Sequence, residues 1–140
     1  MQQAKNLRWI FEVEATAVAS QLLHRWSSAL AQRDLDAISA LFAPDAVFVA
    51  TAPAPLIGQQ QIRAYYAAAP AGLTARASLV LASAQRNGLA IVADVLFDLP
   101  DGGVLTGRLC LACGADQAIT LYHLAVGDPA KARPHRGTSG

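Results

Sequence analysis

A chain of 140 residues, 54% apolar and 15% charged, has the length and composition of one globular domain with a core of its own. Such a composition excludes general disorder, and a net charge of +1 with scattered basic residues supplies no field for nucleic acid. No uninterrupted apolar run approaches the roughly 20 residues that span a bilayer, so surplus apolar surface is expected to meet a ligand or a partner subunit.

The first residues imitate a secretory signal only in part. Lys5 and Arg8 supply charge, but Glu12 and Glu14 break the apolar stretch after Trp9–Phe11. The expected location is the cytoplasm, and Cys110 with Cys113 fits a reducing compartment.

A first helix is predicted from about Val13 to Gln32, where Val18, Leu22, Trp26, Ala29 and Leu30 form one apolar stripe. Leu7, Ile10 and Phe11 keep the same spacing, so the helix starts earlier or a short one precedes it. Asp34 is a natural N-cap for a second helix, with Asp36 in its first turn and Leu35, Ile38, Leu41 and Phe42 as its buried face. Pro44 stops it.

Ala46–Thr51 reads as a short strand and the run APAPLIG as a loop. Gly58 opens a third helix, with Ile57 and Ile62 spaced as a hydrophobic staple and Ile62, Tyr65 and Tyr66 as its inner face. Pro70 and Gly72 end it. Four strands follow, approximately Ala75–Ala84, Leu89–Leu99, Val104–Cys113 and Gln117–Val126. Their turns are Asn87-Gly88, suited to type I′, then Asp101-Gly102-Gly103 and Gly114-Ala115-Asp116. One domain over 1–126 is expected, and the Pro-, Gly- and polar-rich tail 127–140 is expected to be disordered.

Cys110 and Cys113 form a C-x-x-C, but within a β-like run, where residues three apart point to opposite faces. Redox pairs of this spacing sit at helix N-termini, and zinc needs about four ligands. The pair is therefore read as two small core residues. No metal and no cofactor is expected.

The order helix, helix, strand, helix, antiparallel meander resembles the nuclear-transport-factor-2-like superfamily, which includes SnoaL-type polyketide cyclases and ketosteroid isomerases. The residues that carry the likeness are Trp26, the run Arg33-Asp34-Leu35-Asp36-Ala37-Ile38, the run from Leu41 to Phe48, Gly58, and Ile62 to Tyr66. The likeness covers roughly residues 15–126. It implies an α+β cone, with three helices packed on a curved, mostly antiparallel sheet around a pocket at the wide end.

Ketosteroid isomerases of this group use a strand carboxylate as base, with an oxyanion hole made by a helix-one tyrosine and a strand aspartic acid. By the resemblance those positions fall on Ala50, Trp26 and Leu109 or its neighbour. All three catalytic groups are absent, so that mechanism is not expected.

Strand alternation, aligned through Asn87-Gly88, puts Val92, Asp94, Leu96 and Asp98 on the concave face. Leu105, Gly107, Leu109 and Leu111 join them, with Thr120, Tyr122 and Leu124. The expected lining is then Trp26, Phe48, Ala50, Val92, Leu109 and Thr120 as ligand contacts, with Asp94, Tyr66 and Tyr122 as the groups able to do chemistry. Asp94 stands out because it interrupts an apolar strand. A carboxylate there is either a general acid or base, a ligand-binding group, one held by Tyr66, Tyr122 or the Trp26 indole, or one turned to solvent at the sheet rim. His123 falls on the outer face and His24 off the helix stripe.

Ile91, Ala93, Val95 and Phe97 are assigned to the outer face, with Val104, Thr106, Cys110, Ile119, Leu121 and Ala125. An apolar face of that extent implies an isologous homodimer packed through the sheets. Three functional classes stay open. One is a cofactor-free isomerase, cyclase or hydrolase that uses Asp94 with Tyr66 or Tyr122 on a small cyclic or aromatic ligand. The second is a binding module without turnover, and the third a protein-interaction domain.

Overall fold

The computed structural model describes residues 2–127, with side chains from Val13 onward. The expected disorder of the tail beyond them lies outside the described residues. Three helices and six strands follow in the order α1 Gln2–Gln32, α2 Leu35–Ala40, β1 Phe42–Val49, β2 Leu56–Ile57, α3 Gln59–Ala67, β3 Thr74–Gln85, β4 Gly88–Asp98, β5 Val104–Gly114 and β6 Ile119–Gly127. The strands form one open sheet, β2-β1-β6-β5-β4-β3, with only the β1–β6 pair parallel. It is the α+β architecture that the element order implies.

α1 buries Ala15, Ala19, Leu22, Leu23, Trp26, Ala29 and Leu30, a helical stripe that packs over the sheet and chiefly on β3. The helix closes through Arg33, whose φ of 53° lets Asp34 N–H reach Ala29 O at 2.9 Å. A left-handed conformation is unfavourable for a side-chain-bearing residue. Here the Arg33 guanidinium offsets it by donating to Ala67 O at 2.8 Å and Ala69 O at 3.0 Å, the open carbonyls at the end of α3.

Asp34 caps α2 as expected, accepting from Ala37 N–H at 3.1 Å, and Asp36 pairs with Arg63 of α3. The second helix is shorter than the sequence suggests, and Leu41 and Phe42 are buried beyond it. β1 accordingly starts at Phe42 and tolerates Pro44 where its register against β6 shifts. Within the expected loop, Leu56–Ile57 pairs with β1 as a two-residue strand. The Ile57–Ile62 staple does not form. Ile57 is exposed while Ile62 is fully buried, and the Ile57 N–H is met by the Gln61 side chain at 2.8 Å instead.

The strand faces of β4 are the reverse of the sequence expectation. Leu89, Ile91, Ala93, Val95 and Phe97 are buried against the helices, whereas Val92, Asp94, Leu96 and Asp98 lie on the convex side. The reason is the length of two turns. Gln85 pairs with Gly88, so Arg86-Asn87 rather than Asn87-Gly88 occupies the hairpin tip. Asp98 pairs with Val104, which leaves a five-residue connection, Leu99–Gly103, where the sequence reading allowed four. One residue of slip exchanges every side chain between faces. A bulge at Thr120 does the same locally in β6: Ile119 is buried and Thr120 exposed, with its hydroxyl donating to Ala112 O at 3.1 Å.

Gly88 shows how tight the first hairpin is. A Cβ added there would lie 1.9 Å from the carbonyl oxygen of Cys113 on β5. Gly88→Ala should therefore lower stability by about 1–3 kcal/mol through forced backbone displacement, read as a shifted urea midpoint. A loss below about 0.5 kcal/mol, the size of an ordinary surface change, would contradict this register.

Candidate functional site

The concave face closes on a cluster of aromatic rings. Phe48 of β1 is its hub, stacked on Tyr122 of β6 with centroids 4.2 Å apart and planes within 9°. Tyr65 and Tyr66 of α3 lie against the same ring at 4.9 and 5.7 Å, and Phe42 packs behind it at 5.9 Å. Trp26 of α1 completes the wall, edge-on to Phe97 at 6.0 Å and tilted to Tyr122 at 6.3 Å.

The polar tips of these rings converge. Trp26 Nε1–H donates to the Tyr66 hydroxyl oxygen at 3.0 Å, and the Tyr122 hydroxyl lies beside the same group. Burial pushes the Tyr66 phenol well above its ordinary value despite these polar neighbours. Tyr122 is raised too, first by burial and then by the neighbouring tyrosines. Both phenols are therefore neutral donors at physiological pH.

In front of this cluster lies a cavity of about 330 Å³. Its floor is Tyr66, Tyr122, Phe97 and Leu124, and its rim includes Thr51, Tyr65 and the Ala68–Pro70 turn. No charged side chain lines it. Two contacts hold the rim: the Arg33 clamp on the end of α3, and a 2.6 Å hydrogen bond between the Thr51 and Tyr65 hydroxyls. A second concavity, about 630 Å³, is an open groove on the convex face. Its arginines are already paired, Arg108 with Asp94 and Arg76 with Asp98.

Of the residues singled out by sequence, Tyr66 and Tyr122 line the cavity, while Trp26 and Phe48 pack against those two rings in the core and do not reach its lining. Leu109 is buried on the concave face, and Ala50 is half-buried just past the end of β1. Three others are elsewhere. Asp94 is exposed on the convex face, where Arg108 donates to it through Nε at 2.9 Å and Nη2 at 2.8 Å. Val92 is half-buried on that same side, and Thr120 is exposed at the β6 bulge.

Phe97, which the sequence reading assigned to the outer face, and Thr51, Leu73 and Leu99, which it did not assign to the pocket, also line the cavity. Phe97 was recoverable from its alternation with Ile91 and Val95. Thr51 was not, since nothing local marks a threonine before a Pro-rich bend as part of a wall. The Cys110 and Cys113 side chains fall on opposite faces as free thiols, and burial raises Cys113 to about 11, so it is no thiolate near neutrality. Among the described residues no cluster of potential metal ligands is found, and no helix is long and apolar enough to cross a membrane.

Residues 23–111, more than half of the chain, match the model of the SnoaL-like domain family. This protein belongs to the SnoaL-like family. No curated protein matches the sequence. Similar solved structures include a provisionally assigned aromatic ring hydroxylase of Novosphingobium aromaticivorans, 20% identical over 84% of this chain and 92% of that one, at a TM-score of 0.69. The Δ5-3-ketosteroid isomerase of a Mycobacterium species is 16% identical over 79% and 98% of the two chains, at 0.59. RV0760c of Mycobacterium tuberculosis, in complex with estradiol-17β-hemisuccinate, is 15% identical over 81% and 95%, at 0.61. At these identities the likeness establishes the nuclear-transport-factor-2-like fold of this SnoaL-like chain.

The buried phenols make the SnoaL-like domain sensitive to alkali. A neutral form favoured by folding contributes stability that is full below the unfolded tyrosine value near 10.0 and is lost as pH rises through the raised folded values. Phenolate absorbance of Tyr66 and Tyr122 should thus appear together with loss of tertiary circular dichroism. Both ionising near pH 10 in a still-folded protein would contradict the buried cluster.

Proposed function

We propose that this SnoaL-like domain binds a small, uncharged, cyclic or aromatic molecule in the cone. The observation that carries this reading is a cavity of about 330 Å³ walled by Phe97, Tyr66, Tyr122 and aliphatic side chains without a charged group. That volume is at the lower end of small-molecule sites. At roughly 30 Å³ per water it equals about eleven waters, room for one or two fused rings. The complex of RV0760c with a steroid ester adds a fold-level parallel.

Turnover by a carboxylate is not part of this proposal. Asp94 is on the far side of the sheet, and the cavity lining holds no aspartate, glutamate or histidine. Phenols raised by burial do not act as bases near neutrality. Binding without proton abstraction is the reading that fits.

A homodimer through the convex face is the second element of the proposal, on a smaller patch than the sequence suggested. Leu81 and Leu121 are 58% and 40% exposed there. Val92, Cys110 and Ala112 lie between them as half-buried neighbours, and the Asp94–Arg108 pair bounds the patch. Leu121→Asp places a charge in that patch and should convert a dimer to a monomer in sedimentation. A wild-type protein that is monomeric at micromolar concentration would remove this element and leave ligand binding untouched.

Tetralin, a neutral bicycle, is a suitable first probe. Saturable binding by calorimetry is expected, together with its loss in Leu105→Trp, which fills the cavity, and its retention in Asp94→Asn. Equal binding by wild type and Leu105→Trp would overturn the cavity as the site.

A further inference from the structure

We propose that two copies of the chain share one zinc ion on the convex face, each supplying Cys110 and His123. This rests on the homodimer reading above and names what holds its centre.

Strand pairing lines up one convex row across five strands: Leu81 of β3, Val92 of β4, Cys110 of β5, His123 of β6 and Val49 of β1. Three of these side chains are aliphatic. The other two are of metal-binding type and stand directly opposite each other on neighbouring strands. Such partners hold their Cβ atoms about 4.5–5.5 Å apart, a gap that two ligands of one ion can span. His123 is exposed, and Cys110 is a half-buried free thiol. Among the described residues neither makes a hydrogen bond or an ion pair. The C-x-x-C spacing conceals this pairing, because Cys113 points to the concave side and His123 comes beside Cys110 only through the β5–β6 register.

A single chain stops at two ligands. Asp94, diagonal to Cys110 across β4 and β5, is held by Arg108, and no group of three potential metal ligands occurs among the described residues. Zinc takes four, so a two-fold axis through this row completes the set with two thiolates and two imidazoles. Packed sheets lie about 10 Å apart, which puts an ion midway about 5 Å from each backbone layer. A thiolate with its bond of about 2.3 Å to zinc spans that distance, and the longer imidazole reaches it at a slant.

Charge and solvation select the metal. Dimerisation through the apolar row buries both groups without partners, which is unfavourable for the imidazole above all. Coordination meets the two together. Zinc displaces the thiol protons to solvent, so two thiolates and one dication make an electrically neutral centre, suited to a dry interface. Mixed sulfur and nitrogen donors in a tetrahedron favour zinc over magnesium or calcium, which take oxygen ligands. An ion that binds the dimer and not the monomer also tightens the dimer.

The test uses the full chain, stripped with a chelator, as wild type, Cys110→Ser, His123→Gln and Cys113→Ala. Zinc titrated by calorimetry should saturate at one ion per two chains. Cobalt(II) in its place should give the visible bands of a tetrahedral site, with thiolate-to-metal charge transfer in the near ultraviolet. Those signals should persist in Cys113→Ala and vanish in Cys110→Ser. His123→Gln should weaken zinc by at least about tenfold, the lower end of what loss of even an outer-shell partner costs. In sedimentation, free zinc at ten times its dissociation constant should tighten the wild-type dimer by about tenfold and leave Cys110→Ser unchanged. A wild-type dimer that ignores both zinc and chelator, saturation at one ion per chain, or a cobalt spectrum without thiolate charge transfer would overturn the shared ion and leave the dimer standing. A dimer unmoved by chelator but separated by dithiothreitol would mark a disulfide between the two Cys110 thiols, which equally overturns it. Wild type that stays monomeric with and without zinc removes the dimer reading, and this one with it.

Discussion

Five residues, Leu99–Gly103, join β4 to β5, and their odd number decides which side of the sheet is the inside. The turn is closed by Leu99 N–H to Gly103 O at 2.8 Å and Gly102 N–H to Leu99 O at 3.0 Å, which pairs Asp98 with Val104. From that pair onward Phe97, Val95, Ala93 and Ile91 fall on the same face as Leu105, Leu109 and Leu111. The opposite choice would bury Asp94 and Asp98 among apolar side chains at a desolvation penalty of several kcal/mol for each charge. Instead both carboxylates stay on the convex side, each beside an arginine. Those exposed pairs contribute little to stability. What they record is the register that keeps the concave face dry.

The dry face then decides what the helices can do. Ala15 and Ala19 leave α1 close to β3, and Trp26 further along the same stripe reaches Phe97 and Tyr122. α3 reaches the same place from the other end of the cone, where Tyr66 meets Trp26. Arg33 fixes the distance between the two helices by joining the end of α1 to the last carbonyls of α3. The cavity is the space left when these long side chains meet across a sheet too curved for them to fill. Its side-chain polarity comes from the phenols and the Thr51 hydroxyl.

Much of the fold was legible in the sequence because it is written locally. The Asp34 cap, the Gly58 break, the helical stripe through Trp26 and the turn-rich spacing of the strands each state their own structure. Register is different: it depends on how many residues a turn leaves unpaired, and Asn87-Gly88 offered an attractive centre one residue away from the real one. That slip moved Asp94 into the cone on paper and Phe97 out of it. The better guide lay within the strand itself. Ile91, Val95 and Phe97 form an alternating set without a charge, whereas the set containing Val92 and Leu96 includes two aspartates. The aromatic cluster of Trp26, Phe48, Tyr66 and Tyr122 was legible because its members lie in elements whose inner face does not depend on that turn. Thr51 and Tyr65 meet only through the path of the Pro-rich bend, which no local pattern specifies.

The cavity wall holds no carboxylate, and its polar groups are neutral hydroxyls among apolar side chains. Ala50 lies just past β1, and Trp26, on the buried stripe of α1, donates its indole N–H to Tyr66. An indole at that contact is not chemically neutral. A tyrosine at position 26 would both accept and donate, and the three-ring network could shift its protons between members. An indole N–H only donates, so at this contact Tyr66 is always the acceptor.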